Sequence, residues 1–120
     1  MQKKTRVTQV QSGLVQGTLD MLVLKTLALE PMHGWGITER IHRMSGDVFH
    51  VKQGSLYPAL QRLRRKGWIS AEWRVTKNNR RARYYLLTAA GRQRLGIERQ
   101  NWERASAAVD RILQAVPVGA

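Results

Sequence analysis

One stretch of fourteen residues, 54–67, constrains the chain more than any other: Gly-Ser-Leu-Tyr-Pro-Ala-Leu-Gln-Arg-Leu-Arg-Arg-Lys-Gly. Leu56, Leu60 and Leu63 stand at i, i+4 and i+7, so a helix here carries all three on one side. Ser55, Gln61, Arg62 and Arg65 fall on other sides. Arg64, Arg65 and Lys66 crowd the last turn, where cations complement the helix dipole, and Gly67 can take the left-handed conformation that ends a helix. Pro58 is tolerated only near a helix start, because the first N–H groups have no partner within the helix. The expected element is a short helix with an inward leucine stripe and an outer surface of hydroxyl, amide and guanidinium groups. One side can hold it to a domain while another reaches base edges and phosphates in a DNA major groove.

The preceding sequence supplies the scaffold for such a helix. Gly17-Thr18 is read as a helix start, with Thr18 as N-cap and Asp20 as a favourable negative charge in the first turn. Leu19, Leu22, Val23 and Leu27 make one apolar face of this helix. Met21, Leu24 and Ala28 make a second, which gives it two neighbours, one of them a candidate second subunit. Pro31 stops it. His33-Gly34-Trp35-Gly36 reads as a turn. Ile37, Ile41 and Met44 then continue as a second helical stripe that ends at Ser45-Gly46, and Val48, Phe49 and Val51 form a short extended link. Three short helices with brief connections, the third basic on its outer face, make a helix-turn-helix pattern.

After Gly67 the period changes. Residues 68–75 and 82–87 are rich in β-branched and aromatic types and read as two strands, joined by the basic, turn-prone tip Thr76-Lys77-Asn78-Asn79-Arg80-Arg81. A hairpin directly after the proposed reading helix is the wing of a winged helix. Residues 62–83 hold nine basic side chains and one acidic, Glu72. Much of the positive charge of a chain with a formal net charge of +13 therefore falls on the helix and the hairpin. Such an excess favours a polyanionic partner, either nucleic acid or an anionic membrane face.

Thr88 is expected to cap a last long helix over residues 89–115. Leu95, Trp102, Val109 and Val116 recur every seven residues, with Ala105 and Ile112 at intervening positions. A seven-residue apolar period suggests pairing with another helix, most simply the same helix of a second copy. The expected organisation is a basic N-terminal arm (1–13), a winged helix-turn-helix domain (14–87), a dimerisation helix (88–116) and a frayed tail (117–120). The fold class is mainly α with a small β-hairpin (α+β).

The candidates for DNA contact on the helix are Gln53, Ser55, Tyr57, Arg62 and Arg65. Arg can bond guanine and Gln adenine in bidentate fashion, while Ser and Tyr hydroxyls more often reach phosphate. Lys77, Asn79, Arg80 and Arg81 at the hairpin tip suit backbone or minor-groove contact. Leu95, Trp102, Ala105, Val109 and Ile112 are the candidate dimer interface. Trp102 sits at its centre, either as packing or as a flat surface on which a small aromatic or apolar effector stacks. Trp35 and Trp73 are expected at the edge of the core.

Other chemistries find little support. The chain has no cysteine, which excludes disulfides and thiolate metal sites. His33, His42 and His50 show no ligand spacing with carboxylates, and no Ser–His–Asp or paired-carboxylate arrangement stands out. No enzyme, metal site or cofactor is implied. No apolar run reaches the ~18 residues of a membrane span, and no apolar secretory core follows the basic N-terminus. The expectation is a cytoplasmic protein without a membrane partner.

The pattern resembles the PadR family of bacterial transcriptional regulators. The matching stretches are Gly-Thr-Leu-Asp-Met-Leu-Val-Leu (17–24), His-Gly-Trp-Gly-Ile (33–37), Gly-Ser-Leu-Tyr-Pro-Ala-Leu-Gln-Arg-Leu (54–63), Lys-Gly-Trp-Ile-Ser (66–70), Arg-Tyr-Tyr-Leu-Leu-Thr (83–88) and Gly91 after Ala-Ala. The family commonly has tyrosine where this chain has Trp35 and leucine where it has Trp68. The resemblance implies a homodimer of winged-helix domains joined through the last helix and binding double-stranded DNA, usually as a repressor. Multidrug-sensing members resemble the chain in carrying tryptophan at position 102. Two other readings of the residues stay open here. One is a sequence-independent nucleic-acid-binding or chromosome-organising protein. The other is an interaction module whose last helix pairs with a different protein.

Overall fold

The computed structural model describes residues 16–119, and the arm at 1–13 lies outside them. Four helices and a three-stranded sheet follow in order: α1 (Gln16–Leu29), β1 (Met32–His33), α2 (Gly34–Met44), α3 (Gln53–Arg65), β2 (Ile69–Val75), β3 (Arg81–Leu87) and α4 (Ala89–Leu113). This is the expected α+β winged helix-turn-helix with a long last helix.

The three leucines of α3 anchor it as their spacing requires. Leu56, Leu60 and Leu63 are buried with Ala59 against Val23, Leu24 and Leu27 of α1 and Ile37 and Ile41 of α2. The end of α3 is a Schellman motif. Lys66 is the C-cap, Gly67 takes φ 77°, Gly67 N donates to Arg64 O, and Trp68 N donates to Leu63 O. Pro58 lies farther into the helix than its chemistry favours. It is the sixth helical residue, so the Gly54 carbonyl loses its intrahelical partner at an exposed point where water can replace it.

Three local expectations are corrected. The helix is already running at Gln16, so Thr18 is inside it and is not its N-cap. Asp20, read as a first-turn charge, is instead buried in the core side of α1. The segment read as a turn at 33–36 is the end of β1 and the first turn of α2, with His33 as N-cap accepting from Gly36 N through Nδ1 at 3.1 Å. Residues Met32 and His33 pair antiparallel with Tyr85 and Tyr84, which puts β1 on the free edge of β3 and gives the sheet order β1-β3-β2.

The β2–β3 hairpin runs in register from Ile69 opposite Leu87 to Val75 opposite Arg81. Ile69, Ala71, Trp73 and Val75 share one face. Ile69 is buried, Ala71 half-buried, and the last two exposed, so the hairpin leaves the core part-way along its length. Asn79 supplies the left-handed residue of the tip, at φ 61°.

Thr88 caps α4 as expected: its Oγ1 accepts from Gly91 N at 3.0 Å and donates to Gly67 O at 2.7 Å. Of the residues in α4, Gly91 is the buried one. Leu95 packs in part against the chain's own core, and the helix lies along α1 over this first portion. α1 therefore has α4 of the same chain among its neighbours. Leu24, assigned to the second apolar side of α1, is fully buried in the core.

Candidate nucleic-acid interface

The outer side of α3 is set by the same geometry that buries its leucines. At about 100° per residue, the positions opposite the buried arc are Gly54, Pro58, Gln61 and Arg65, all exposed. Arg64 and Tyr57 lie on the flank that faces the hairpin. Gln61, Arg64 and Arg65 line one shallow surface groove. Gln61 and Arg64 were not among the sequence candidates. Counting helical positions away from the leucines finds Gln61, while Arg64 falls on the flank beside the buried arc.

The sequence candidates on α3 divide into three groups. Ser55, Tyr57 and Arg65 are exposed. Gln53 is half-buried, and its Nε2 donates to Thr38 Oγ1 at 3.0 Å, which ties α3 to α2. Arg62 is a correction. It was expected to lie off the apolar side and reach outward. Its Nη2 donates to Asp20 Oδ1 at 2.8 Å, with the two side chains only 22% and 10% exposed, and its Nε has no partner among the described residues. The long side chain folds back along the helix to neutralise a buried carboxylate on α1. It is a strut between two helices.

The hairpin presents its cations beside α3. The tip closes through Thr76 N to Arg80 O at 2.7 Å and Asn79 N to Thr76 O at 2.9 Å, leaving Lys77, Asn79, Arg80 and Arg81 exposed. Trp35 and Trp73 are a second correction. They do not close the edge of the core: they are 61% and 56% exposed. With Tyr57, Tyr85, Arg81 and Arg83 they line a cleft of about 600 Å³ between the hairpin and the starts of α2 and α3. Burial and the neighbouring Tyr57 push the Tyr85 phenol upward, against the opposing pull of Arg83 and Arg64. Tyr85 therefore stays protonated at neutral pH.

The last helix carries the expected stripe into solvent. Trp102 (49% exposed), Val109, Ile112, Leu113 and Val116 are exposed large apolar residues on the part of the chain that runs beyond the body. Ala105 is exposed on the same side.

The family model for the transcriptional regulator PadR-like family matches residues 23–97, which span α1 to the first part of α4. The chain belongs to the PadR-like family of transcriptional regulators. It is 35% identical over 81 residues to the transcriptional regulator Rv3488 of Mycobacterium tuberculosis, covering 68% of this chain and 72% of that one. A PadR family regulator from Eggerthella lenta is 27% identical with a TM-score of 0.72, covering 83% of this chain and 85% of the other. A PadR-like regulator from Bacillus cereus shares the fold at a TM-score of 0.72 and 23% identity, over 91% of this chain and all of the other. PadR-like membership makes the chain a transcription regulator rather than an enzyme. Among the described residues, no helix is long and apolar enough to cross a membrane.

Proposed function

We propose that this PadR-like regulator is a cytoplasmic repressor that binds an inverted-repeat operator as a homodimer and responds to a small ligand. The observation that carries the DNA reading is the outer side of α3. Its leucines point inward, and its amide and guanidinium groups stand beside a basic hairpin. Gln61 and Arg65 suit base edges in the major groove, while Ser55, Tyr57 and Arg64 suit phosphate. Lys77, Asn79, Arg80 and Arg81 would grip the flanking backbone.

The uncovered stripe on α4 supports the homodimer. Two copies joined along Trp102, Ala105, Val109 and Ile112 would place two reading helices under one two-fold axis, and a two-fold protein matches a palindromic site. Trp102 from each copy would then meet near that axis, where a flat apolar ligand can stack and bias the relative rotation of the heads. Val109→Glu places two carboxylates in the apolar seam. It is expected to weaken dimerisation on the order of a hundredfold, about 2.7 kcal/mol, with the winged-helix head still folded. Sedimentation of both proteins at micromolar concentration reads this directly.

Selection of binding sites from a random duplex pool tests the whole reading. The expected outcome is an inverted repeat with half-sites about one helical turn or more apart. Repeating the selection with Arg65→Ala should relax one base position in each half-site, at a cost of about 1–3 kcal/mol. Recovery of no preferred sequence at moderate salt would make this a sequence-independent binder instead.

A further inference from the structure

We infer that the cleft between the hairpin and the starts of α2 and α3 is a seat for one backbone phosphodiester of the bound duplex. Indole walls hold the adjoining sugar. This rests on the DNA reading above and assigns a role to four residues that the sequence did not mark as contacts: Trp35, Trp73, Arg83 and Tyr85.

The cleft is chemically prepared for an anion. No carboxylate lines it. Glu72, the acid of the hairpin, pairs with Tyr84 in the register and therefore points to the opposite face, where it is bonded by Arg74 Nε at 2.6 Å. Arg81 and Arg83 stand on the cleft side, and Trp73 holds both, with guanidinium carbons 4.9 and 5.6 Å from its ring centroid. Such stacking keeps the two forks extended and their N–H edges free. Arg83 Nε is shielded from solvent and has no partner among the described residues. A shielded donor without a partner is costly, and a small shift of the side chain that brings it to an acceptor in the cleft removes that cost. Tyr85 stays protonated beside it and can donate as well.

The shape fits the same occupant. Gly34 has no side chain where a Cβ would stand 2.8 Å from Tyr57 Oη, so the Tyr57 ring lies close against the start of α2 and its hydroxyl reaches the cleft. Trp35 and Trp73 are large, apolar and exposed on opposite elements, an arrangement that the core does not require. A deoxyribose offers apolar carbons against which such exposed rings can pack. The cleft is lined by Thr76, Asn78 and Arg80 of the hairpin tip as well as by Tyr57 of α3, so it adjoins both proposed contact regions. The seat is therefore a bridge between two contact regions rather than an isolated pocket.

The test is the salt dependence of binding by the full chain, on its selected operator and on a random duplex. Each phosphate neutralised contributes about 0.9 to the slope of log K against log salt. Arg83→Gln should lower the slope by about 0.9 per subunit and weaken both duplexes by the same factor. Arg111→Gln, which removes an equal charge far along α4, should leave the slope unchanged. Trp35→Ala, at an exposed position, should weaken both duplexes equally, about tenfold, with the slope intact. Circular dichroism monitors folding, and if Arg83→Gln does not fold, the Trp35→Ala affinity decides. An unchanged slope in folded Arg83→Gln, a loss confined to the operator, or full affinity in Trp35→Ala would overturn the seat and leave the regulator reading standing. A wild-type chain with no salt-dependent duplex binding would overturn both.

Discussion

Arg62→Ala is expected to lower the unfolding free energy by about 3 kcal/mol, a large share of what a domain of this size commands. The substitution leaves Asp20 buried with its charge and without its cation. Removing one partner of a buried pair is costly for that reason, whereas replacing both by apolar groups of similar volume is often close to neutral. The double variant Arg62→Met with Asp20→Leu should therefore recover most of the loss. Urea unfolding of the two single variants and the double variant measures the coupling directly. A single-variant loss under about 0.5 kcal/mol, the range of an ordinary surface change, would mean the pair is not formed in solution. The consequence reaches function because the strut joins α1, on which α4 lies, to the reading helix α3. Loosening it lets α3 shift on its leucines, so operator affinity should fall even at temperatures where the variant is fully folded.

Arg62 also shows where the sequence stops being informative. Spacing sorts side chains by direction from the helix axis, and the leucine stripe, the Gly67 stop, the Thr88 cap and the hairpin all follow from local chemistry of that kind. A long guanidinium at the margin of the buried arc can point either way, because its aliphatic stem can lie along apolar surface while the charge seeks a partner. Its partner is 42 residues earlier in the chain, at a position read as a helix-start charge. Nothing local connects the two. Trp35 and Trp73 fail for a related reason. Alternation in β2 puts Trp73 on the same side as buried Ile69, but alternation does not say where the core ends. The hairpin outruns the core, and the tryptophan arrives in a cleft. The strand β1 is two residues long, too short to have a period at all. The heptad on α4 was legible because most of the stripe has no neighbour in its own chain to alter it. Leu95, the one member that touches the core, is where the stripe reading needed amendment.

The second large effect is expected at Gly91, and Gly96 on the same helix supplies its control. A methyl group on Gly91 would run into the Trp68 carbonyl oxygen, well inside van der Waals contact, and would stand 2.7 Å from Leu87 Cδ1. The carbonyl cannot swing aside cheaply. It accepts from Thr88 N at 3.1 Å, and the neighbouring Gly67 carbonyl accepts from Thr88 Oγ1. Trp68 itself is held between two cations, with Lys66 Nζ 4.8 Å and Arg94 Cζ 4.9 Å from its ring centroid. The start of α4 is thus docked by backbone contact onto the residues that end α3. Gly91→Ala must either break that dock or strain it, at a cost of about 3 kcal/mol, the upper end for overpacking by one methyl. Gly96 has nothing within 4 Å of the corresponding position. There the same substitution should stabilise the chain by up to about 1 kcal/mol through helix propensity alone. Helix propensity favours alanine at both positions, five residues apart, and the dock reverses the sign at Gly91. The dock also joins the start of α4 to the end of α3, so under the proposed function it holds the dimer helix and the reading helix at one angle. Folded Gly91→Ala should therefore bind a single half-site nearly as well as wild type and lose most of its preference for the correctly spaced pair. Matched losses on single and paired half-sites would show that the angle is fixed elsewhere.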